Sequence, residues 1–351
     1  MKKKENTPLH PFASAMLVWY EHHARQLPWR DTHDAYSIWL SEVILQQTRI
    51  EQGRDYWLRF VDRWPTVEQL TEASEEEVLR MWQGLGYYSR ARHLLAAAHQ
   101  VVAMGGFPNT VEGLRRLEGV GPYTAAAIAS MAFDVPAAVV DGNVFRVLSR
   151  YFDIDTPINS TQGRHLFDDL ATQLLPPGKA ATYNQAVMDF GATWCTPQSP
   201  RCADCPLCGS CLALAHGTVN QRPVKEQKLK VQTRRLAYIY IRCKGQIAIH
   251  RRGKGDIWQG LWEPLNISDA STVPDGFDAE NRLTLIRKDV RHVLTHRILL
   301  ADFYLLDTDQ RPTLPPDYIW INEADIDGYA IPRLIEILLE SLSEWKEKEE
   351  K

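Results

Sequence analysis

Long apolar runs are missing from these 351 residues. The uncharged stretch Gly119–Phe133 is short and rich in small side chains, below the roughly twenty apolar residues that a bilayer requires. The opening Met-Lys-Lys-Lys runs into polar residues and prolines, so no secretory or membrane segment is expected and a soluble cytoplasmic protein is the default. Glycine and proline, at 20 each, are too few for a fibrous or disordered chain. Charge of one sign is also scarce. A net charge of −4 excludes a uniformly basic nucleic-acid coat but leaves room for a local basic groove. Cysteine is nearly absent outside one segment: Cys243 stands alone, while Cys195, Cys202, Cys205, Cys208 and Cys211 crowd together. In a reducing compartment such crowding argues for a metal or cluster site, because thiolates are soft ligands and disulfides do not persist.

The length suits about two domains, each with its own core. From Phe12 to about Leu212 apolar residues recur at three and four, as in Met16, Leu17, Trp19 and Tyr20 or Val144, Val147, Leu148 and Tyr151. Turns of Gly, Pro and Asp separate these runs, and an all-α domain over about 8–216 is expected, with the cysteine loop at 195–211. Residues 217–235 lack apolar periodicity and read as a basic, exposed linker. From Leu236 strand patterns take over. LAYIYIR and QIAIHRR flank a turn at Cys243-Lys244-Gly245, and further strands are expected at 290–296, 299–306 and 318–321. A last helix is expected from Pro332 to about Trp345, making 236–345 an α+β domain. Segment 222–254 holds eleven cations against Glu226 alone, a basic stripe suited to phosphates.

Four constellations carry chemistry. Cys195, Cys202, Cys205 and Cys211 form C-x6-C-x2-C-x5-C, which suits a four-iron cluster or a structural zinc, and Cys208 creates a competing C-x2-C-x2-C-x2-C reading. In LEGVGPYTAAAIAS, Gly119 and Gly121 permit a tight turn with positive φ, Pro122 suits the next helix's first turn, and the alanines allow close helix approach. Backbone N–H groups at such a turn can hold a phosphate. An ordinary helix corner explains the glycines alone equally well. Glu42 shares a helix face with Ile38 and Leu45, so its carboxyl points into apolar surroundings that raise its proton affinity. It is either functional or paired with a distant Arg or Lys. Asp141, before Gly142-Asn143, is a favourable N-cap. It also reads as a second carboxylate, kept ionised by helix-start N–H donors opposite a neutral Glu42, and two such carboxyls suit cleavage of a glycosidic bond.

Taken with LPWR at 27–30, SEVILQQT, GLGYYSRARHL, GVGPYT and VDGNVFRVLSR, these features resemble the helix-hairpin-helix DNA glycosylases with an iron-sulfur loop, and within them the adenine DNA glycosylases of the MutY type. The resemblance implies a helical catalytic domain followed by a Nudix-like domain, and removal of adenine mispaired with 8-oxoguanine or guanine from double-stranded DNA, by a monomer with no membrane partner. It implies that Glu42 protonates adenine, that Asp141 stabilises the cationic sugar, and that Tyr123 and Asn143 orient Asp141 and the sugar. Arg30 and Gln185 match positions that contact the flipped adenine. Gln47, Thr48, Leu85 and Tyr87 match intercalating and lesion-reading residues, with Leu85 and Tyr87 expected to be exposed in their Gly-bounded turn. Gly119 and Gly121 belong to the DNA-binding hairpin.

Leu294-Thr295-His296 aligns with the loop that reads 8-oxoguanine, usually Phe-Ser-His, so Thr295 keeps the hydroxyl while Leu294 loses the aromatic ring. The Nudix-like part lacks the glutamate-rich box that binds magnesium and pyrophosphate, and no nucleotide hydrolysis is expected. The resemblance also selects Cys195, Cys202, Cys205 and Cys211 as [4Fe-4S] ligands, leaves Cys208 over, and makes Arg201 a candidate phosphate contact. Relatives of the endonuclease III type carry a lysine where Tyr123 stands. A phenol cannot form the imine needed for strand cleavage, so a monofunctional enzyme is expected over a glycosylase with lyase activity. A non-catalytic protein that binds damaged DNA is the alternative from another class, and the Glu42 and Asp141 pair argues against it.

Overall fold

The computed structural model describes residues 8–226, 232–267 and 283–349. In chain order it has helices α1 (Pro11–His23), α2 (Ala35–Ile44), α3 (Ile50–Arg63), α4 (Val67–Thr71), α5 (Glu75–Trp82), α6 (Ser89–Ala103), α7 (Val111–Leu114), α8 (Pro122–Phe133), α9 (Gly142–Tyr151), α10 (Thr161–Leu174), α11 (Ala180–Thr193) and α12 (Leu212–Ala215). Strands follow: β1 (Gln232–Cys243), β2 (Gln246–Arg251), β3 (Trp262–Glu263), β4 (Leu265–Ile267), β5 (Thr284–Val293), β6 (Arg297–Thr308) and β7 (Tyr318–Asn322), and then helix α13 (Arg333–Glu349). No described helix is long and apolar enough to cross a membrane.

The chain divides into two compact units, one of Met1–Thr71 with Ala96–Gln227 and one of Glu72–Leu95 with Lys228–Lys351. The first is all helical. Its helix starts follow sequence chemistry: Asp34 caps α2 by accepting from the Ser37 N–H, and Asp141 caps α9. Small side chains along α8 bury it from Thr124 to Met131 and let it lie against α2, the helix that carries Glu42. A second core gathers Phe12, Trp19, Phe167, Phe190 and Leu207 around α1, α9, α10 and α11. Burying one such aromatic contributes about 2–3 kcal/mol, enough to fix the ends of α9 and α11 on which the site depends.

The second unit holds a mixed sheet of order β3-β2-β1-β6-β5, with β4 added to β1 and β7 to β2. Strands β1 and β6 run parallel from Gln232↔Arg297 to Cys243↔Thr308. Alternation along β1 sorts its side chains: Leu236, Tyr238 and Tyr240 face α13, and Ile239 and Ile241 face the other side. Residues Glu72–Leu95 of the helical pattern cluster with this unit. Helix α5 there opens on a capping box in which Ser74 and Glu77 satisfy each other's backbone N–H groups.

Three boundary expectations change. Gln232–Arg235, read as linker, begin β1, because parallel pairing with β6 supplies partners that local pattern does not show. The strand expected at 290–296 spans Thr284–Val293, and Leu294–His296 form the loop before β6. The final helix runs on to Glu349. The hairpin turn is as read, with Lys244 and Gly245 at φ 50° and 77°.

Candidate active site

Glu42 sits on α2 with 7% of its surface exposed. Its carboxyl faces a cavity of about 360 Å³ whose wall includes Trp29, Arg30, Leu45, Tyr123, Asp141 and Asn143, all in the helical unit. The Tyr123 hydroxyl donates to Glu42 Oε2 at 2.6 Å. Burial pushes the Glu42 carboxyl from 4.5 up to about 6; the Tyr123 bond opposes this, the nearby Asp141 charge adds to it, and Arg30 opposes it. Tyr123 was expected to orient Asp141, and its hydroxyl instead engages Glu42.

Asp141 Oδ1 accepts from the N–H groups of Asn143 at 2.9 Å and Val144 at 2.7 Å, and Oδ2 accepts from Asn143 Nδ2 at 2.7 Å. Burial nevertheless lifts its proton affinity above the ordinary carboxylate value, against these three donors. The sequence reading counted the donors and not the desolvation. Asn143 is itself fixed, because its Oδ1 accepts from Arg146 Nη2 at 2.7 Å. Gly191 on α11 makes room for it: a Cβ there would lie 2.7 Å from Asn143 Cβ.

Arg30 turns its guanidinium to Asp189, with Nη1 at 2.6 Å and Nη2 at 2.7 Å from the two carboxylate oxygens. Arg25 binds the same carboxylate through Nε at 2.8 Å. Asp189 is fully buried; burial works against its ionisation, yet Arg30 and Arg25 together hold its carboxyl below the usual range. Gln185 does not line the cavity. Its Oε1 accepts from the Tyr20 hydroxyl at 2.9 Å, and Tyr20 in turn neighbours Arg30 Nη1 at 3.4 Å. Asp189, Arg25 and Tyr20 were missed in the sequence, because their pairing joins residues far apart along the chain.

The cysteine loop folds against the far end of α9. Cys195, Cys205 and Cys211 pack on the helical core, whereas Cys208 is exposed. Buried Arg150 donates to the carbonyls of Thr196 at 2.7 Å and Pro197 at 3.2 Å and to Cys195 Sγ at 3.4 Å. Arg146 Nε donates to the Cys195 carbonyl at 2.8 Å. Burial, then repulsion from Cys195, Cys211 and Cys202, pushes the Cys205 thiol up to about 11, with only the Leu207 N–H opposing among them. Cys202 and Cys211 are likewise raised by burial and by their fellow thiols, and Cys208 belongs to none of these interactions. Four cysteines gathered this way, once deprotonated, suit a cationic metal core that offsets the charge of their thiolates.

At the hairpin before α8, Gly119 has φ 72°, as expected, but Gly121 has φ −83°. A Cβ at Gly121 would meet nothing within 4 Å, so the space beside it is open to a close-approaching partner backbone. Gln47 is exposed at φ 60°, and Thr48 lines the Glu42 cavity.

The remaining candidates lie in the second unit. Tyr87 is 47% exposed, but Leu85 is only 8% exposed, contrary to expectation. Positive φ at Gly84, Gly86 and Tyr87 winds the turn so tightly that Leu85 folds inward. The Tyr87 hydroxyl is hydrogen-bonded to that of Thr295, and both line a cavity of about 740 Å³ with Leu294 and His296. Several arginines of the basic stripe are paired with acids. Arg234 pairs with Asp256, Arg235 with Asp289, Arg242 with Asp307, Arg251 with Glu75 and Arg252 with Glu263, while Lys228 and Lys230 lie outside the described residues. Arg201 is exposed beside the Trp194 ring.

Residues 40–170 match the HhH-GPD superfamily of base excision DNA repair proteins, and residues 237–341 match the NUDIX domain. The helical unit thus carries a helix-hairpin-helix glycosylase domain and the sheet a Nudix-like one, as the sequence motifs implied. The chain is 47% identical over 213 residues to an adenine DNA glycosylase of Mus musculus, covering 58% of this chain and 41% of that protein. It thus spans about two fifths of that relative's length. It is 32% identical over 255 residues to an adenine DNA glycosylase of Buchnera aphidicola subsp. Baizongia pistaciae, covering 72% of each. The solved structure of a thermostable thymine-DNA glycosylase superposes with TM-score 0.55 at 30% identity, over 58% of this chain and 95% of that one.

Proposed function

Because the chain belongs to the adenine DNA glycosylase family, we propose that it hydrolyses the N-glycosidic bond of adenine mispaired with 8-oxoguanine or guanine in duplex DNA. The observation that carries this reading is a buried Glu42, with proton affinity near neutrality, sharing one cavity with Asp141. A stacked duplex hides the scissile bond, so adenine enters this cavity only after extrusion. Protonated Glu42 gives its proton to a ring nitrogen of adenine. The sugar–base bond then breaks with its electron pair on the leaving base, and the Asp141 carboxylate stabilises the cationic sugar. Water adds to the sugar carbon and returns a proton to Glu42, closing the cycle.

Asn143 holds Asp141 in place, and Tyr123 holds Glu42. Arg30 contacts the adenine, and Gln185 supports it from behind Tyr20. Gln47, Thr48 and Tyr87 probe the opened duplex, with Leu85 buried in the free protein. Gly119 and Gly121 bring the hairpin backbone to a phosphate. Thr295 and His296 read the 8-oxoguanine partner. Cys195, Cys202, Cys205 and Cys211 would hold a [4Fe-4S] cluster, whose contribution is a covalent cross-link that shapes the loop. No lysine stands at position 123, so the product is an abasic site and not a cleaved strand.

Duplexes with adenine opposite 8-oxoguanine, treated with the protein and then heated in alkali, should show breaks at the adenine. No base release under single-turnover conditions would sink the reading, and strand cleavage without alkali would move the assignment to the lyase branch. Glu42→Gln should lose turnover and keep duplex binding.

A further inference from the structure

Within the second unit, Trp258 has φ 60°, a left-handed conformation that a bulky side chain rarely adopts and that costs energy wherever it occurs. It persists because its surroundings over-determine it. Three arginines clamp three carbonyls of one short loop: Arg252 Nε donates to Ile257 O at 2.8 Å, Arg92 Nη1 to Gln259 O at 2.6 Å, and Arg251 Nε to Gly260 O at 3.0 Å. Arg252 is anchored in turn by Glu263, a pair whose side chains are 8% and 2% exposed. Asp256 ties the start of the loop to Arg234 and Arg252.

The indole held this way is half-buried and walls the 740 Å³ cavity that Tyr87, Leu294 and Thr295 also line. It meets the His292 ring edge-on at 5.8 Å, and the Arg252 guanidinium lies 5.9 Å from its centroid. The Trp258 indole therefore contributes aromatic surface to the cavity, and Thr295 lines it as well. That combination suits a purine base, which stacks on an aromatic face and presents polar atoms along its edge.

We propose that Trp258 is a specificity-determining contact residue, the aromatic wall against which the purine opposite the target adenine is held while Thr295 reads its edge. The identity of that purine rests on the glycosylase reading above, but the contact itself is measurable by binding alone. In this loop, glycine relaxes the φ 60° backbone without altering the arginine clamps, which bind carbonyls. Trp258→Gly thus removes the ring while leaving the loop unstrained, and Trp258→Phe keeps a ring.

The test is fluorescence anisotropy with two duplexes carrying a non-cleavable adenine analogue, one opposite 8-oxoguanine and one opposite thymine, together with the melting temperature of each variant. Trp258→Gly is expected to lose roughly tenfold of the preference for the 8-oxoguanine duplex and to melt lower, because the ring also packs on the core of this unit, and Trp258→Phe to retain most of that preference. Full preference in Trp258→Gly, or an equal loss in Trp258→Phe, overturns the proposal. Absence of adenine release by the unaltered protein would overturn the glycosylase reading and leave this comparison of affinities standing.

Discussion

Glu42→Gln exchanges a buried carboxyl for an amide of nearly the same shape, and ionising the carboxyl carries a cost that the amide does not. Burial lifts Glu42 from 4.5 to about 6, so keeping it ionised in the folded chain costs about 2 kcal/mol. The sign follows from proton linkage. With the folded value above the unfolded one, Glu42's contribution to stability is fully present below 4.5 and is lost as pH rises through about 6. Glutamine does not titrate. At pH 8 the helical unit of the variant is expected to melt about 4–8 °C higher than the parent, at roughly 2–4 °C per kcal/mol for a domain of this size. At pH 5 the advantage shrinks to about 0.8 kcal/mol. Thermal unfolding by circular dichroism at pH 5 and pH 8, beside single-turnover adenine release, makes the comparison. Release by the parent should decline as pH rises through about 6, and the variant should have none. A stability difference independent of pH, or a variant less stable than the parent at pH 8, refutes burial as the cause of the raised proton affinity.

Three further outcomes are expected. Asp189→Asn leaves Arg25 and Arg30 without their shared carboxylate and should cost about 3–5 kcal/mol in urea unfolding, with adenine release reduced as Arg30 loses its anchor. Cys211→Ser should lower bound iron and the absorbance near 400 nm that a four-iron cluster roughly gives, and Cys208→Ser should leave both unchanged. Gly191→Ala pushes a methyl into Asn143 and should cost about 1–3 kcal/mol, with a loss of adenine release at least as large as that of Asn143→Ala.

Short-range patterns carried much of this molecule and long-range pairing carried the rest. Helix caps at Asp34 and Asp141, the Lys244-Gly245 hairpin and the helical periodicity are local chemistry and were legible. The choice among five cysteines was not settled by spacing. Of the five, Cys208 is exposed and the other four are partly buried. The GLGYY turn looked open from its glycines, yet positive φ at Gly84, Gly86 and Tyr87 sends Leu85 inward and leaves Tyr87 out. The stripe at 222–254 was counted along the chain, whereas Asp256, Asp289, Asp307, Glu75 and Glu263 neutralise its arginines across space. Asp189 had no local mark because its meaning comes from two arginines more than 150 residues away in sequence.

The two carboxyls of the cavity are set apart by what reaches them. Both are pushed upward by burial, and the Asp141 charge raises Glu42 further. Two buried carboxylates in one cavity cannot both ionise cheaply, which favours keeping a proton on one of them. Asp141 takes three donors, two of them backbone N–H groups at the start of α9 that cannot turn away, and each bond is stronger to a carboxylate than to an acid. Glu42 takes one, from Tyr123 to Oε2, which leaves Oε1 to carry the proton. These bonds favour the proton on Glu42 and the anion on Asp141. Removing the Asn143 amide strips one donor from Asp141 and narrows that difference, so the proton moves part of the way toward the carboxylate that must stay charged. A loss of rate in Asn143→Ala should then be accompanied by a changed pH profile, which a purely steric role for Asn143 would not produce.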